Sequence, residues 1–144
     1  MPNAILVNLS VTYPMLTAAA HDRENVVLRD ITCCFWRVNR EAAAGVRYVF
    51  GVFEGQVVSG YAVPVEAAHW PEVPAGVPGE GRLYVPGATL SAADWKKALA
   101  WTLDRQVFFG GGVRYAEVEL AAAGELAELH FIERDDAQAA GRGA

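Results

Sequence analysis

The chain has 144 residues, 53% of them hydrophobic and 20% charged, with a net charge of −5; that is enough for one buried core and too apolar for a disordered segment. Its apolar runs are strand-sized and fall short of the about 20 residues that span a bilayer, and Met1-Pro2-Asn3 opens no basic-then-apolar leader, so neither a membrane span nor a signal peptide is expected. Residues 1–114 hold ten basic and ten acidic residues, residues 115–144 two basic and seven acidic, which excludes nucleic-acid binding through a broad basic surface and leaves only a local pocket or patch.

Residues 3–13 predict a first strand, ended by Pro14. Met15 to Ala20 could start a helix, and His21 to Asn25 reads as a loop or helix end. The run ITCCFWRV at 31–38 is β-branched and aromatic and predicts a second strand. Asn39 is placed to cap a short helix over Arg40 to Ala44, closed by Gly45. VRYVFGVF at 46–53, Glu54-Gly55 and QVVSGYAV together predict a hairpin, with Gly51 and Gly60 marking a bulge or sharp bend.

Four prolines and three glycines between residues 64 and 81 predict a long irregular loop, of the kind that often carries function. RLYVP at 82–86 reads as a short strand. Ser91 and Asp94 open a helix with Trp95, Ala98, Leu99 and Thr102 on one face. Gly110-Gly111-Gly112 break the chain, VRYAEVEL at 113–120 predicts a last strand, and a short helix around Ala121 to Leu129 is expected to follow. The fold class is therefore α+β: a small, curved, mostly antiparallel sheet or barrel flanked by two or more helices. One domain is expected over residues 1–133, with 134–144 a flexible C-terminal tail.

No catalytic constellation emerges. His21, His69 and His130 have no second ligand at metal spacing, and the adjacent Cys33 and Cys34 cannot make a zinc site alone, so no metal and no cofactor are expected. Free thiols fit a reducing compartment such as the cytoplasm. The serines lie in no nucleophile elbow, and nothing selects a catalytic pair among Glu54, Glu66, Glu72 and Glu117. The triple glycine lacks the strand-before, helix-after context of a phosphate loop and reads as a turn. Four Trp, five Tyr and six Phe are many for this length. Most must be core, but one or two lining a pocket would make a stacking site for a base. Trp36 and Trp70 are the candidate stacking groups. Arg37 and Arg114, each beside an aromatic, are candidate polar partners, or else ordinary outward-facing strand positions.

Several stretches resemble bacterial and phage domains of the PUA-like fold, the group that includes ASCH and EVE modules. They are TCCFWRVNREAA at 32–43, RYVFGVFEGQVVSGYAV at 47–63, GRLYVPG at 81–87 and GGGVRYAEV at 110–118. The resemblance implies a small curved β-barrel with helices on its open edges and a pocket near the barrel edge for RNA or a modified base. It places Thr32 and Trp36 where related domains hold a Thr and a Trp. Many relatives carry Arg and Gly between them, where this chain has Cys33 and Cys34; that departure removes an anion-binding charge. The leading expectation is a non-catalytic module binding a nucleobase, nucleotide or nucleic-acid segment, with Thr32, Trp36, Arg37, Trp70 and Arg114 as ligand-binding residues. The alternative is a protein-interaction domain, a homodimer or a phage-type inhibitor of a host protein, since aromatic-rich surfaces favour protein partners.

Overall fold

The first strand, β1 (Ala4–Asn8), is buried from Ala4 to Val7, as expected of an unbroken apolar run covered on both faces. The computed structural model describes residues 2–16, 22–103 and 112–132, and β1 lies near the centre of its six-stranded sheet. The other strands are β2 (Tyr48–Phe53), β3 (Gln56–Ala62), β4 (Ala88–Thr89), β5 (Val113–Leu120) and β6 (Leu126–Phe131), in the order β4-β3-β2-β1-β5-β6. Only β1 and β2 pair in parallel; the other four pairings are antiparallel. The sheet is therefore mixed. The parallel pair is joined by a crossover carrying α1 (Val26–Cys33), since a tight turn can link only antiparallel neighbours.

The second helix, α2 (Ala92–Leu99), touches both β3 and β6, which lie toward opposite ends of the sheet. Gln56 Nε2 donates to Leu99 O at 2.6 Å on one side, and Leu126 N donates to Asp94 Oδ1 at 3.1 Å on the other. The sheet thus curls into a half-barrel with α2 between its ends. Asn3 ties the middle: its side-chain amide exchanges two bonds with the Val118 backbone, at 3.0 and 2.7 Å, while its carbonyl accepts from Arg47 N at 2.7 Å. Among the described residues no helix is long and apolar enough to cross a membrane.

The local signals that carry their own chemistry hold. Glu54 and Gly55, with φ of 51° and 77°, form the turn of the β2–β3 hairpin in the mirror-image geometry that suits strand twist. The register shifts at Gly51/Val52, a bulge at one of the two interior glycines. Ser91 Oγ accepts from Asp94 N at 3.2 Å and opens α2. Asn39 Oδ1 accepts from Glu41 N and Ala42 N as a cap would, but it opens a run of turns over 40–45 rather than the expected helix over Arg40 to Ala44. β5 occupies Val113–Leu120 as expected.

Several expectations are corrected. The first strand stops at Asn8 rather than running to Pro14: residues 10–12 turn, and Tyr13–Met15 form a 3-10 helix. Residues 31–38 are not a strand: Ile31 to Cys33 end α1, which Asn25 caps by accepting from Val27 N and Leu28 N. The chain turns extended at Cys34, and Trp36 pairs singly with Leu83. Residues 82–86 accordingly form isolated bridges rather than a strand. Residues 121–129 are not a helix but a turn at Ala121–Gly124 followed by β6, which pairs with β5 from Ala116↔Phe131 to Leu120↔Leu126. Thr102, placed on the buried face of α2, is exposed. The expectations for residues 17–20, His21, Gly110-Gly111 and the tail from 134 onward lie outside the described residues.

Candidate functional site

Residues 33–36, 71–73 and 81–85 run side by side just after α1. Trp36 and Leu83 exchange both backbone bonds, at 2.9 and 2.8 Å; Val85 N donates to Cys33 O, Tyr84 N to Pro71 O and Val73 N to Arg82 O. These bonds satisfy the backbone of a segment that could not extend the main sheet. They also set the 73–82 loop against the last turn of α1. Between them lies an open groove of about 500 Å³ lined by Asp30, Ile31, Cys34, Phe35 and Trp36 on the helix side and by Val73, Pro78, Gly79 and Arg82 on the loop side, with Thr12 joining them.

Trp36 is fixed in this groove. Its Nε1 donates to Thr32 O at 2.8 Å, so the ring has one orientation, and Gly112 backs it so closely that a Cβ there would come 2.9 Å from Trp36 Cζ3. Phe35, 47% exposed, lies beside it and contacts Tyr84 with ring centroids 6.2 Å apart. Arg82 brings guanidinium donors and Asp30 carboxylate acceptors to the same opening. Thr12 borders the groove, and its Oγ1 is buried with no hydrogen-bond partner among the described residues. The arrangement presents an aromatic floor, one cation and one anion, and offers nothing that would activate a nucleophile.

Of the five residues expected to bind ligand, only Trp36 reaches the groove. Thr32 is fully buried; its Oγ1 donates to Leu28 O at 2.8 Å and meets Ser59 Oγ at 2.7 Å, so the hydroxyl pins α1 to β3 rather than facing a ligand. Trp70 is 2% exposed with its Nε1 donating to Val65 O at 2.7 Å. No face of that ring is free for stacking, because the loop folds back and the indole fills the core beneath it. Arg37 is exposed and lines no part of the groove. Arg114 lies on β5 opposite Leu6, partly buried, with Nη1 donating to Val113 O at 2.8 Å. The groove residues that sequence reasoning missed are Asp30, Phe35 and Arg82. Phe35 sits next to Trp36 and carried the same aromatic signal; Arg82 is brought in only by the loop.

The paired cysteines diverge in environment. Cys33 is fully buried, and burial pushes its thiol up to about 12, against a weaker opposing bond from the Gly87 backbone. Cys34, at the groove, is raised by partial burial and by the Asp30 carboxylate. Both effects disfavour thiolate, so neither sulfur is primed as a nucleophile at neutral pH. Burial likewise raises the Tyr61 hydroxyl. The thiol of an unfolded chain ionises near 9.0. Above that value the unfolded state holds fewer protons than the folded one, so Cys33 contributes stability that is complete below pH about 9 and is lost between there and about 12. Urea unfolding midpoints measured across this window are expected to fall, and Cys33→Ala is expected to make that fall shallower. An unchanged slope in the variant would place Cys33 in contact with water.

A second feature lies on the β5–β6 hairpin. Glu119 and Glu128 are direct cross-strand partners, and His130 Nε2 sits 3.4 Å from Glu119 Oε2 and 3.5 Å from Glu128 Oε2. All three residues are exposed. Sequence patterns do not show this cluster, because it exists only once residues 126–131 are a strand.

Comparison of the chain with protein-family models, with curated proteins and with solved structures finds no match.

Proposed function

We propose that the chain is a non-catalytic binding module that seats a planar ring, a nucleobase or nucleotide, in the groove on Trp36. The observation that carries this reading is the indole held in one orientation by Thr32 O at the floor of an open groove that also holds Arg82 and Asp30. An aromatic face fixed in advance stacks on a base without ordering cost, and every base has such a face. Arg82 supplies donors for a base edge or phosphate, and Asp30 supplies acceptors. The PUA-like resemblance of the sequence and the curled sheet with a helix set between its ends support the same reading. With so few cations nearby, the ligand is a single nucleotide or short segment rather than a long duplex.

The test is a tryptophan-fluorescence titration with nucleotides and short single strands at low salt, read beside a direct binding measurement. Saturable binding is expected in the parent chain, retained in Trp36→Phe and lost in Trp36→Ala, with Arg82→Ala weakening it; circular dichroism checks that each variant folds. Binding that survives both alanine changes, or no binding by any base, would overturn the proposal. A second reading has its own observation: Val26, Val27, Phe35 and Val77 are 45–56% exposed along α1 and the loop beside the groove. Such a concentration of exposed apolar side chains suits a protein partner. Light scattering over a concentration series separates the two, because self-association would bury this surface.

A further inference from the structure

We propose that Glu119, Glu128 and His130 form a binding site for one divalent transition-metal cation of the zinc type. The three lie on one face of the β5–β6 hairpin. Glu119 is directly opposite Glu128, and His130 is two residues beyond Glu128, so strand alternation points all three the same way. Their donor atoms all lie within 4.8 Å of one another.

Two of the three donor spacings match a zinc shell and are long for a hydrogen bond. Zinc binds imidazole nitrogen and carboxylate oxygen at about 2.0–2.2 Å, so the ligand-to-ligand edge of its tetrahedron is about 3.4 Å. His130 Nε2 stands 3.4 Å from Glu119 Oε2 and 3.5 Å from Glu128 Oε2. A good N–H···O bond would be nearer about 2.9 Å. The backbone register already holds the three positions, so binding requires no rearrangement of the sheet.

The charge balance points the same way. Two carboxylates directly opposite each other across a strand pair repel. Among the described residues, the basic partner of both is His130, and no Lys or Arg lies in ion-pair range. A divalent cation would neutralise that repulsion. The imidazole decides the class: magnesium and calcium take all-oxygen shells, whereas mixed imidazole and carboxylate sets suit zinc, cobalt and their neighbours. Three protein ligands leave a fourth position for water.

The full chain, stripped of metal, is titrated with cobalt(II), whose four-coordinate form absorbs visibly. Visible bands saturating at one cobalt per chain are expected, bleached by zinc and indifferent to excess magnesium. His130→Ala, Glu119→Gln and Glu128→Gln should each weaken binding by at least about tenfold, the lower end of what loss of even an outer partner of a metal ligand costs. Glu117→Gln, opposite His130 but outside the triad, should leave the bands in place. The side chains are exposed, so the variants keep the fold, which circular dichroism verifies. No saturable cobalt signal in the parent chain, or a signal unchanged in His130→Ala, would overturn the proposal.

Discussion

Trp70→Ala is expected to destabilise the protein by about 3–5 kcal/mol, the usual cost of emptying a buried Trp site. A domain of this size has about 5–15 kcal/mol in hand, so the variant should lose a substantial share of its stability and unfold at a clearly lower urea concentration. The reason is the position of the ring: 2% exposed, packed in the core with Ala67, Leu83 and Val85, and with its indole N–H bonded to Val65 O. Truncation opens a cavity and also leaves that carbonyl without its partner. The urea midpoint of the variant measures the effect. A stacking role for Trp70 predicts the opposite pattern, an unchanged midpoint with lost ligand binding, and that result would remove the ring from the core. Trp36→Ala is the internal contrast. That ring is only half-buried and borders a groove already open to solvent, so the same substitution should shift the midpoint less.

That Trp70 faces the core and Arg82 the groove depends on contacts distant in sequence. The signals that held are local. Glu54-Gly55 between two β-type runs, and Ser91 with Asp94 ahead of α2, each satisfy their own backbone groups within a few residues, so the sequence displays them directly. Residues 31–38 and 121–129 depart from expectation for different reasons. ITCC is β-branched and thiol-rich, which favours a strand, yet Leu28, Thr32 and Cys33 are buried along one face of a helix started by Asn25. A helix over Val26–Cys33 buries those three side chains together, whereas a strand would turn Thr32 and Cys33 to opposite faces. AAAGELAEL is a strong helix former in isolation, and pairing with β5 overrides that preference. The loop from 64 to 81 contains no periodicity, so nothing short of the folded chain shows that Trp70 turns inward and Arg82 toward α1. The groove and the Glu119–Glu128–His130 cluster were hidden for the same reason: each is assembled by residues whose proximity depends on a strand or loop path set elsewhere.

Gly51→Ala is expected to cost about 1–3 kcal/mol, the range for forcing an extra methyl group into a packed core. In an ordinary strand the same change would help, because glycine there is unfavourable by about 0.5–1 kcal/mol. Here a Cβ would run into Ser59 Oγ and come within 2.5 Å of Leu9 Cδ1. Neither neighbour can retreat. Leu9 is fully buried, and Ser59 Oγ is held 2.7 Å from Thr32 Oγ1 of α1. Ser59→Ala removes one of the two obstacles, and Thr32 keeps its bond to Leu28 O in its absence. The double variant Gly51→Ala with Ser59→Ala should therefore be more stable than Gly51→Ala alone, a coupling within the about 0.5–3 kcal/mol seen for residues in contact. Urea midpoints of the parent, the two single variants and the double variant close this cycle. Additive costs would mean that Ser59 is not what excludes a side chain at 51. A favourable coupling would identify the Gly51–Ser59–Thr32 contact as the point where α1 is set on the sheet. Because Trp36 Nε1 bonds to Thr32 O, the same contact would then fix the height of the indole in the groove. A methyl group at 51 should consequently disturb ligand binding at Trp36 from the far side of α1, without touching the groove itself.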